Sequence, residues 1–559
     1  MMLMIPAKNK IVLLIALLFV AGQGCSRKPR TLVVPAEYET IQKAIEAAHS
    51  GDTVLVKAGL YRERIELKKG VNLAGEDANK VKIECAAVSQ KFVITVNSKC
   101  TIKELAVTNR GQGMAGYFTG GILVKGSNVR ITKCRIENCA GGGIHIMGAG
   151  SSATVEKNIC SGNETAGIVV TDGASGIIED NICRQSKWNG IMTAEKGSRS
   201  VIRRNTCEEN SVDGIRIYDR AEATAEENNC AKNTQNGIYV WQAGSKGMLT
   251  GNTCQENNVD GILIYGGAEA TAKNNSCVKN NQYGILIWKA GSKGTLIGNT
   301  CRENGCNGIS ATEDGAIINA IKNQCTGNFR EGILIAHNAF GTVEENVCKN
   351  NAKAGIGIYK MQKPILLRGN VCQENAKAGI SVTEATGVIA SQNVCSNNYG
   401  RGIVAFNKIS IELTENVCSD NANQGIFLCD QTKATVRGNR CERNNYPGID
   451  VEGVGTSAIL INNQCGQNRD SGIFFAKGVT GQALQNVCTE NGWSGIAVRD
   501  PSTKTVLSGN QCNNNGAWGI ISWAGARPDI GKDNITTGNG KAGVKSREKI
   551  EIACLLPVE

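Results

Sequence analysis

The sequence has 559 residues, of which 67 are Gly, 24 are Cys and only 8 are Pro. So little Pro excludes collagen, and an apolar content of 41% argues against a disordered chain. The formal charge of +11 comes from 61 basic and 50 acidic residues. Because the basic residues form no long run, we expect no nucleic-acid partner.

The first 24 residues have the pattern of an export signal. Lys8 and Lys10 precede an apolar run over 11–21 that is too short to cross a bilayer comfortably, and Gly24 is a small residue before Cys25. The Gly24-Cys25 pair resembles a bacterial lipoprotein processing site, which implies that Cys25 is lipidated; ordinary signal cleavage is the alternative. We therefore expect an extracytoplasmic protein of the bacterial cell envelope, held at the membrane by an N-terminal lipid or secreted.

A repeat of 23 or 24 residues occupies most of the chain. From residue 158 the pattern N-x-C-x-x-N-x-x-x-G-[IV] recurs 17 times, and its Cys is present in 16 copies, from Cys160 to Cys512. Each unit holds short alternating stretches bounded by Asn and Gly, which are typical of strands and turns. Such units bury a core only when they stack. The sequence therefore predicts an all-β fold, a single right-handed parallel β-helix solenoid with about 17 regular coils.

The predicted organisation has five segments. They are a signal peptide (1–24), a tether (25–33), an N-terminal cap with irregular coils (34–152), the regular repeats (153–546) and a C-terminal tail or cap (547–559). In the cap, Ile41, Ala44 and Ile45 share one helical face. This spacing predicts a short helix that covers the open first coil.

Fixed places in the repeat have predictable roles. The Asn residues should form a hydrogen-bonded ladder, and the Ile after each Gly should point inward. The residue after that Ile, such as Arg216, Leu263 or Asp450, should point outward. The Cys column should consist of buried free thiols, because stacked Cβ vectors are too far apart for a disulfide. The alternatives are a thiolate metal ladder and local disulfides among Cys85, Cys100, Cys134 and Cys139.

The opening motifs V-P at 34, T-I-Q-K-A-I at 40, G-D-T-V at 51 and A-G-L-Y-R-E at 58 are similar to the start of pectinesterase-like domains. With the repeats, residues 31–546 resemble the right-handed parallel β-helix proteins of the pectin-lyase-like superfamily, and specifically the carbohydrate-binding and sugar-hydrolysis β-helix module. That module occurs in alginate epimerases, F-box β-helix proteins and periplasmic proteins for copper-site maturation. The resemblance implies the fold and leaves the reaction open. The Asp motifs of pectinesterases and the Asp-Pro-His-Asp motif of alginate epimerases are absent.

Four successive coils carry an aromatic residue at one outward position, the stripe of Tyr218, Trp241, Tyr265 and Trp288. Flat rings along a surface suit the apolar faces of sugars, and Arg216 and Lys289 lie nearby in sequence. We therefore predict a polysaccharide ligand, with an acidic glycan favoured by the positive charge. The alternative is a purely structural stripe, because residues 213–259 and 260–306 look like a duplicated unit and duplication copies aromatic residues too.

Three acidic residues, Asp172, Glu195 and Asp219, occupy strand ends in successive coils. Such a row binds a hard cation such as calcium, raises one carboxyl pKa or is a solvated edge. No other cofactor is indicated, because the three His residues lie far apart in the sequence. We expect a monomeric polysaccharide-binding protein. It would be a lyase, epimerase or glycoside hydrolase if it is an enzyme; the alternative is a non-catalytic surface scaffold or adhesion protein.

Overall fold

The computed structural model describes residues 27–88, 91–111, 119–541 and 543–546. The described chain is a single parallel β-solenoid of about 21 turns, as predicted. No helix in these ranges is long and apolar enough to cross a membrane. Cys25 and the residues from 547 onward lie outside the described residues, so the predicted lipid anchor and C-terminal tail stay predictions.

One helix, Ile41–Ala47, covers the first coil. Thr40 caps its N-terminus by accepting a hydrogen bond from the Lys43 N–H at 3.2 Å. Ile41, Ala44 and Ile45 are buried against the neighbouring strands. The predicted capping helix is therefore confirmed.

Each regular coil contributes one strand to each of three parallel sheets. In one coil these are Glu222–Glu226 in the first sheet, Asn229–Ala231 in the second and Ile238–Trp241 in the third. Each strand pairs with its counterpart in the next coil; Ile238, for example, aligns with Ile262. The first sheet extends from Thr31–Val34 to Asp529–Ile530, and the second from Gly59–Tyr61 to Gln511–Asn513.

The third sheet carries the candidate site. Its strands are Ile65–Leu67, Phe92–Val96, Gly120–Val124, Gly142–Met147, Ile168–Thr171, Ile191–Ala194, Ile215–Tyr218, Ile238–Trp241, Ile262–Tyr265, Ile285–Trp288, Ile309–Thr312, Ile333–Ala336, Ile356–Met361, Ile380–Ala385, Ile403–Phe406, Ile426–Leu428, Ile449–Glu452, Ile473–Ala476, Ile496–Arg499, Ile520–Trp523 and Val544–Ser546.

Two buried Asn ladders connect the coils. In the first, Asn205 donates from N and Nδ2 to Asn228 Oδ1 at 2.9 and 3.0 Å, and the pattern repeats from Asn158 to Asn534. Each side-chain amide also donates to a backbone carbonyl one coil back, as Asn228 does to Ile202 O at 2.8 Å. A second ladder extends to Asn539. The predicted ladder is confirmed, and it satisfies turn backbone that would otherwise be buried without partners.

The Cys column is buried in the core, and all 22 Cys residues of the described ranges are free thiols. The alternative of local disulfides is therefore wrong for Cys85, Cys100, Cys134 and Cys139. Burial raises the pKa of the Cys325 thiol well above its ordinary value. A protonated, enclosed thiol is a poor metal ligand.

The outward row of the third sheet is more buried than predicted. Only 8% of the Leu263 side chain and 4% of Asp450 are exposed, although the adjacent Ile262 and Ile449 are the residues that face the core. The turn preceding each Gly lies alongside this row, and residues of both line the same clefts. The outer face of the third sheet is therefore a groove.

Candidate functional site

The groove follows the stacking axis across successive coils of the third sheet. In each coil, the residue two positions after the Gly of the repeat contributes to the floor of the groove. The residue immediately before that Gly contributes to one wall, and the residue four positions after it contributes to the other. Two wider sections stand out, which we call the aromatic cleft and the cationic cleft.

The structure brings the four stripe rings together. The ring centres of Tyr218 and Trp241 are 5.9 Å apart, and those of Tyr265 and Trp288 are 5.4 Å apart. Tyr239 joins the two pairs, at 6.0 Å from Trp241 and 6.3 Å from Tyr265. Sequence analysis missed Tyr239 because it lies on the groove floor, two residues before the stripe position.

Arg216 lies inside this aromatic cluster. Its guanidinium carbon is 5.2 Å from the Tyr218 ring centre and 4.9 Å from those of Tyr239 and Trp241. Its Nη1 is also 3.6 Å from the buried Asp213 carboxylate. These contacts give Arg216 a packing role, because its charge is already matched within the protein.

Trp288 is the most available ring of the stripe, with 37% of its surface exposed. Its Nε1 donates to Glu313 at 2.6 Å, and Lys289 forms a salt bridge with the same carboxylate at 3.1 Å. The Lys289 ammonium also lies 5.4 Å from the Trp288 ring centre. Lys289 therefore orients Trp288 and Glu313 at the groove wall.

The aromatic cleft has a volume of about 820 Å³. Its apolar walls come from Tyr239, Leu263, Tyr283, Leu286 and Trp288, so Trp288 is the one stripe residue among its lining. Polar groups border it as well: Asn236, Asp260, Glu313, Asp314 and His337. An apolar cavity with a few polar groups is the usual form of a small-molecule or sugar site.

A short polar ladder forms the wall beside the aromatic cleft. Asn236 donates from Nδ2 to Asp213 Oδ1 at 2.9 Å, and the Asp260 N–H donates to Asn236 Oδ1 at 3.3 Å. Burial raises the pKa of Asp213 to about 6 and that of Asp260 to about 7; Arg216 opposes the rise at Asp213. The sequence contains a pattern that could have predicted this ladder: Asn and Asp alternate immediately before Gly in four successive coils.

The cationic cleft, of about 800 Å³, continues the groove toward the C-terminus. Its basic lining residues are Arg330, Lys353, Lys377 and Arg401, and its rings are Tyr359, Tyr399, Phe406 and Phe427. Lys353 lies 3.7 Å from Glu331, and the Arg401 guanidinium lies 4.5 Å from the Phe427 ring centre. Sequence analysis did not recognise these four cations as one group. Arg330, Lys353 and Lys377 lie two positions before the Gly of their repeat, whereas Arg401 lies one position before it.

A second aromatic cluster occupies the C-terminal end of the groove. Phe474 and Trp493 pack against Trp523, with ring centres 5.9 and 5.0 Å away, and Trp518 lies 6.0 Å from Trp493. Arg499 lies 5.4 Å from the Phe474 ring centre. The aromatic lining is therefore not confined to the duplicated unit.

In the structure, the acidic residues of the predicted calcium row contact other groups of the protein. The Glu195 carboxylate accepts a hydrogen bond from the Asp172 N–H at 3.0 Å, and Asp219 pairs with Arg220 at 3.1 Å. Across the described ranges, no three His, Cys, Asp or Glu side chains are placed to hold a metal ion. The carboxylates of Glu195 and Asp219 thus have partners within the protein, and calcium binding by the row stays a prediction.

Two family models match the chain. One, described as "Right handed beta helix region", matches residues 91–252 and 434–546. The other, described as "Periplasmic copper-binding protein (NosD)", matches 195–314 and 302–469. The two together span residues 91–546. No curated protein matches the sequence.

Copper does not fit the residues present. His145 is buried beside Phe92, and His337 lies at the groove, where its Nδ1 is 3.1 Å from Thr312 Oγ1. The column thiols are enclosed in the core, and in the part of the chain that the structure describes no three His, Cys, Asp or Glu side chains are placed to hold a metal ion. No step of this protein's function is therefore assigned to copper.

Several solved structures are similar to this chain. The periplasmic alginate epimerase AlgG is 11% identical, with a TM-score of 0.30, over 65% of this chain and 78% of that one. The Dettilon tailspike protein is 15% identical, with a TM-score of 0.39, over 65% and 66%. The PL6 family alginate lyase AlyGC is 10% identical, with a TM-score of 0.33, over 92% and 97%. At these values the structures do not indicate what this groove binds.

Proposed function

Because this chain belongs to the right-handed parallel β-helix proteins, we propose that it is an extracytoplasmic protein that binds polysaccharide in the groove of its third sheet. The observation that carries the proposal is that the two clefts occupy consecutive coils on one face of the third sheet: the lining of the aromatic cleft ends at His337, and that of the cationic cleft begins at Arg330. Rings suit sugar faces, and cations suit the carboxylates of an acidic glycan. The signal-like N-terminus and the periplasmic description of one matching family support the location.

The spacing of the groove residues supports a chain-like ligand. Coils stack about 4.8 Å apart, so equivalent residues on successive coils meet successive sugars of an extended chain. Lys353 and Lys377 occupy equivalent turn positions in adjacent coils, where the Lys377 N–H donates to Lys353 O at 3.2 Å. Such a row matches a glycan with a carboxylate on each unit.

Calorimetry with an acidic and a neutral oligosaccharide series tests the proposal. Trp288→Ala should weaken both series several-fold, because one ring contributes on the order of 1 kcal/mol beyond buried area. The double variant Lys353→Ala/Lys377→Ala should weaken only the acidic series. Lys246→Ala/Lys273→Ala is the matched control, because both residues are exposed on the first sheet, away from these clefts.

The outcomes of this experiment distinguish a glycan-binding protein from a scaffold protein that binds no glycan. If wild-type protein binds neither series, the groove is not a glycan site and the scaffold function is favoured. If the control double variant weakens acidic binding as much as the groove variant, the attraction is non-specific. The same oligosaccharides, assayed for unsaturated products and for new reducing ends, test lyase and hydrolase activity.

A further inference from the structure

The two halves of the duplicated unit place corresponding residues at the groove, so the halves can be compared position by position. Residues 213–259 align with 260–306, so that Asp213 corresponds to Asp260, Tyr218 to Tyr265 and Trp241 to Trp288. The two Asp residues have the same place in the polar ladder, immediately before Gly, and both are buried. Three groove positions differ between the halves: Arg216 corresponds to Leu263, Tyr239 to Leu286 and Asn236 to Tyr283. The first of these removes the cation from the second half.

In the first half of the duplication, the Asp and the rings enclose a cation that the protein itself supplies. The Arg216 guanidinium is within 5.2 Å of three ring centres and 3.6 Å from Asp213. A cation in such a position is stabilised electrostatically by both the carboxylate and the faces of the rings.

In the second half, the corresponding cation is missing. Asp260 borders the open aromatic cleft with Tyr239, Tyr283 and Trp288 around it, and Leu263 is too short and apolar to replace the guanidinium. The Asp260 Oδ1 accepts a hydrogen bond from the Tyr283 N–H at 3.0 Å. Among the described residues no Lys, Arg or His forms a salt bridge with Asp260, and the charge of Asp213 acts on Asp260 repulsively.

We infer that the aromatic cleft binds an external organic cation, a guanidinium or primary ammonium group, which takes at Asp260 the place that Arg216 takes at Asp213. The cleft volume of about 820 Å³ accommodates such a group together with the stem that carries it. This cation site is separate from the cationic cleft and does not depend on the groove binding polysaccharide.

Calorimetry with two charged probes and their neutral counterparts tests the site. The charged probes are Nα-acetylarginine amide and the glucosamine dimer. Their counterparts, Nα-acetylcitrulline amide and the N-acetylglucosamine dimer, carry no charge and keep the same stem or sugar rings. At least one charged probe should bind with one-to-one stoichiometry and about tenfold more tightly than its neutral counterpart. The probe that binds more tightly shows whether the natural cation is of the guanidinium or the amino-sugar type.

Two substitutions link that binding to the cleft. Asp260→Asn should weaken the charged probe at least about tenfold, and Asn fits the ladder because Asn236 and Asn189 already occupy it in neighbouring coils. Leu263→Arg should also abolish binding, because the new guanidinium occupies the cleft from within. Glu412→Gln, at an exposed carboxylate on the first sheet and outside both clefts, is the matched control.

The proposal is overturned if neutral and charged probes bind equally, if no charged probe binds, or if Asp260→Asn binds like wild type. Circular dichroism establishes that the variants are folded; if Leu263→Arg does not fold, Asp260→Asn alone decides. Polysaccharide binding by wild-type protein together with no response to either charged probe would reject the cation site and retain the proposed function.

Discussion

Individual carboxylates in the groove are held in an environment that disfavours their charge. Asp450 is buried in the strand Ile449–Glu452, where Gln424 donates to its Oδ2 at 2.9 Å and its Oδ1 has no hydrogen-bond partner among the described residues. Burial, with the nearby Glu452 charge, raises the pKa of Asp450 to about 8. An unfolded Asp titrates near 3.9, so folding favours the protonated form.

This difference predicts how Asp450 links stability to pH. The folded state retains the proton up to about pH 8 and the unfolded state loses it near pH 4, so the contribution of Asp450 to stability falls as the pH rises between those values. Asp450→Asn removes this dependence and should raise the urea midpoint relative to wild type at pH 9, by a free energy on the order of a few kcal/mol. At pH 5 the two proteins should differ much less. An equal difference at both pH values would contradict the raised pKa.

At the scale of the repeated elements, the Cys column should behave as free thiols. Thiol titration of denatured, unreduced protein should detect at least 22 thiols, the free Cys residues of the described ranges. Near-zero titration would show that disulfides form after all.

Replacing one column thiol should measurably weaken the core. Cys325→Ser should cost about 1–3 kcal/mol, because it buries a hydroxyl in an apolar column. Chemical denaturation measures this cost. Cys306→Ser, at a partly exposed position, is the control and should cost less.

The Asn ladder should contribute more than a single hydrogen bond at each coil. Asn323→Ala removes the acceptor for the N–H and Nδ2 of Asn299, both at 2.9 Å, and the donor to Leu296 O. We expect a loss of about 2–4 kcal/mol, because buried backbone groups are left without partners. Asn258→Ala, at an exposed turn position, should change the denaturation midpoint little.

For the whole molecule, the predicted lipid anchor determines where the groove is presented. Wild-type protein expressed in bacteria should incorporate labelled palmitate and fractionate with membranes, whereas Cys25→Ser should do neither. A Cys25→Ser protein that still labels and sediments with membranes would contradict lipidation. The groove variants should leave fractionation unchanged.

Much of the whole-molecule architecture followed from the sequence alone. A period of 23 or 24 residues, with Asn, Cys and Gly-Ile at constant positions, fits a stacked parallel solenoid, because the same residue then meets itself in every coil. The Asn ladder and the buried free thiols were predicted on this basis, whereas the capping helix was predicted from the helical spacing of Ile41, Ala44 and Ile45. The stripe of four aromatic residues was also predicted to lie on one surface, and its rings are in contact.

The tertiary structure decided which of those residues face a ligand. Alternation along a strand predicts only the side of the sheet on which a side chain lies, and the exposure of that side depends on how the neighbouring turn folds over it. For this reason Asp213 and Asp260 proved to be buried groove carboxylates, and Arg216 proved to be enclosed by rings. The cationic cleft likewise arises from residues at different repeat positions, which only the path of the backbone brings to one wall.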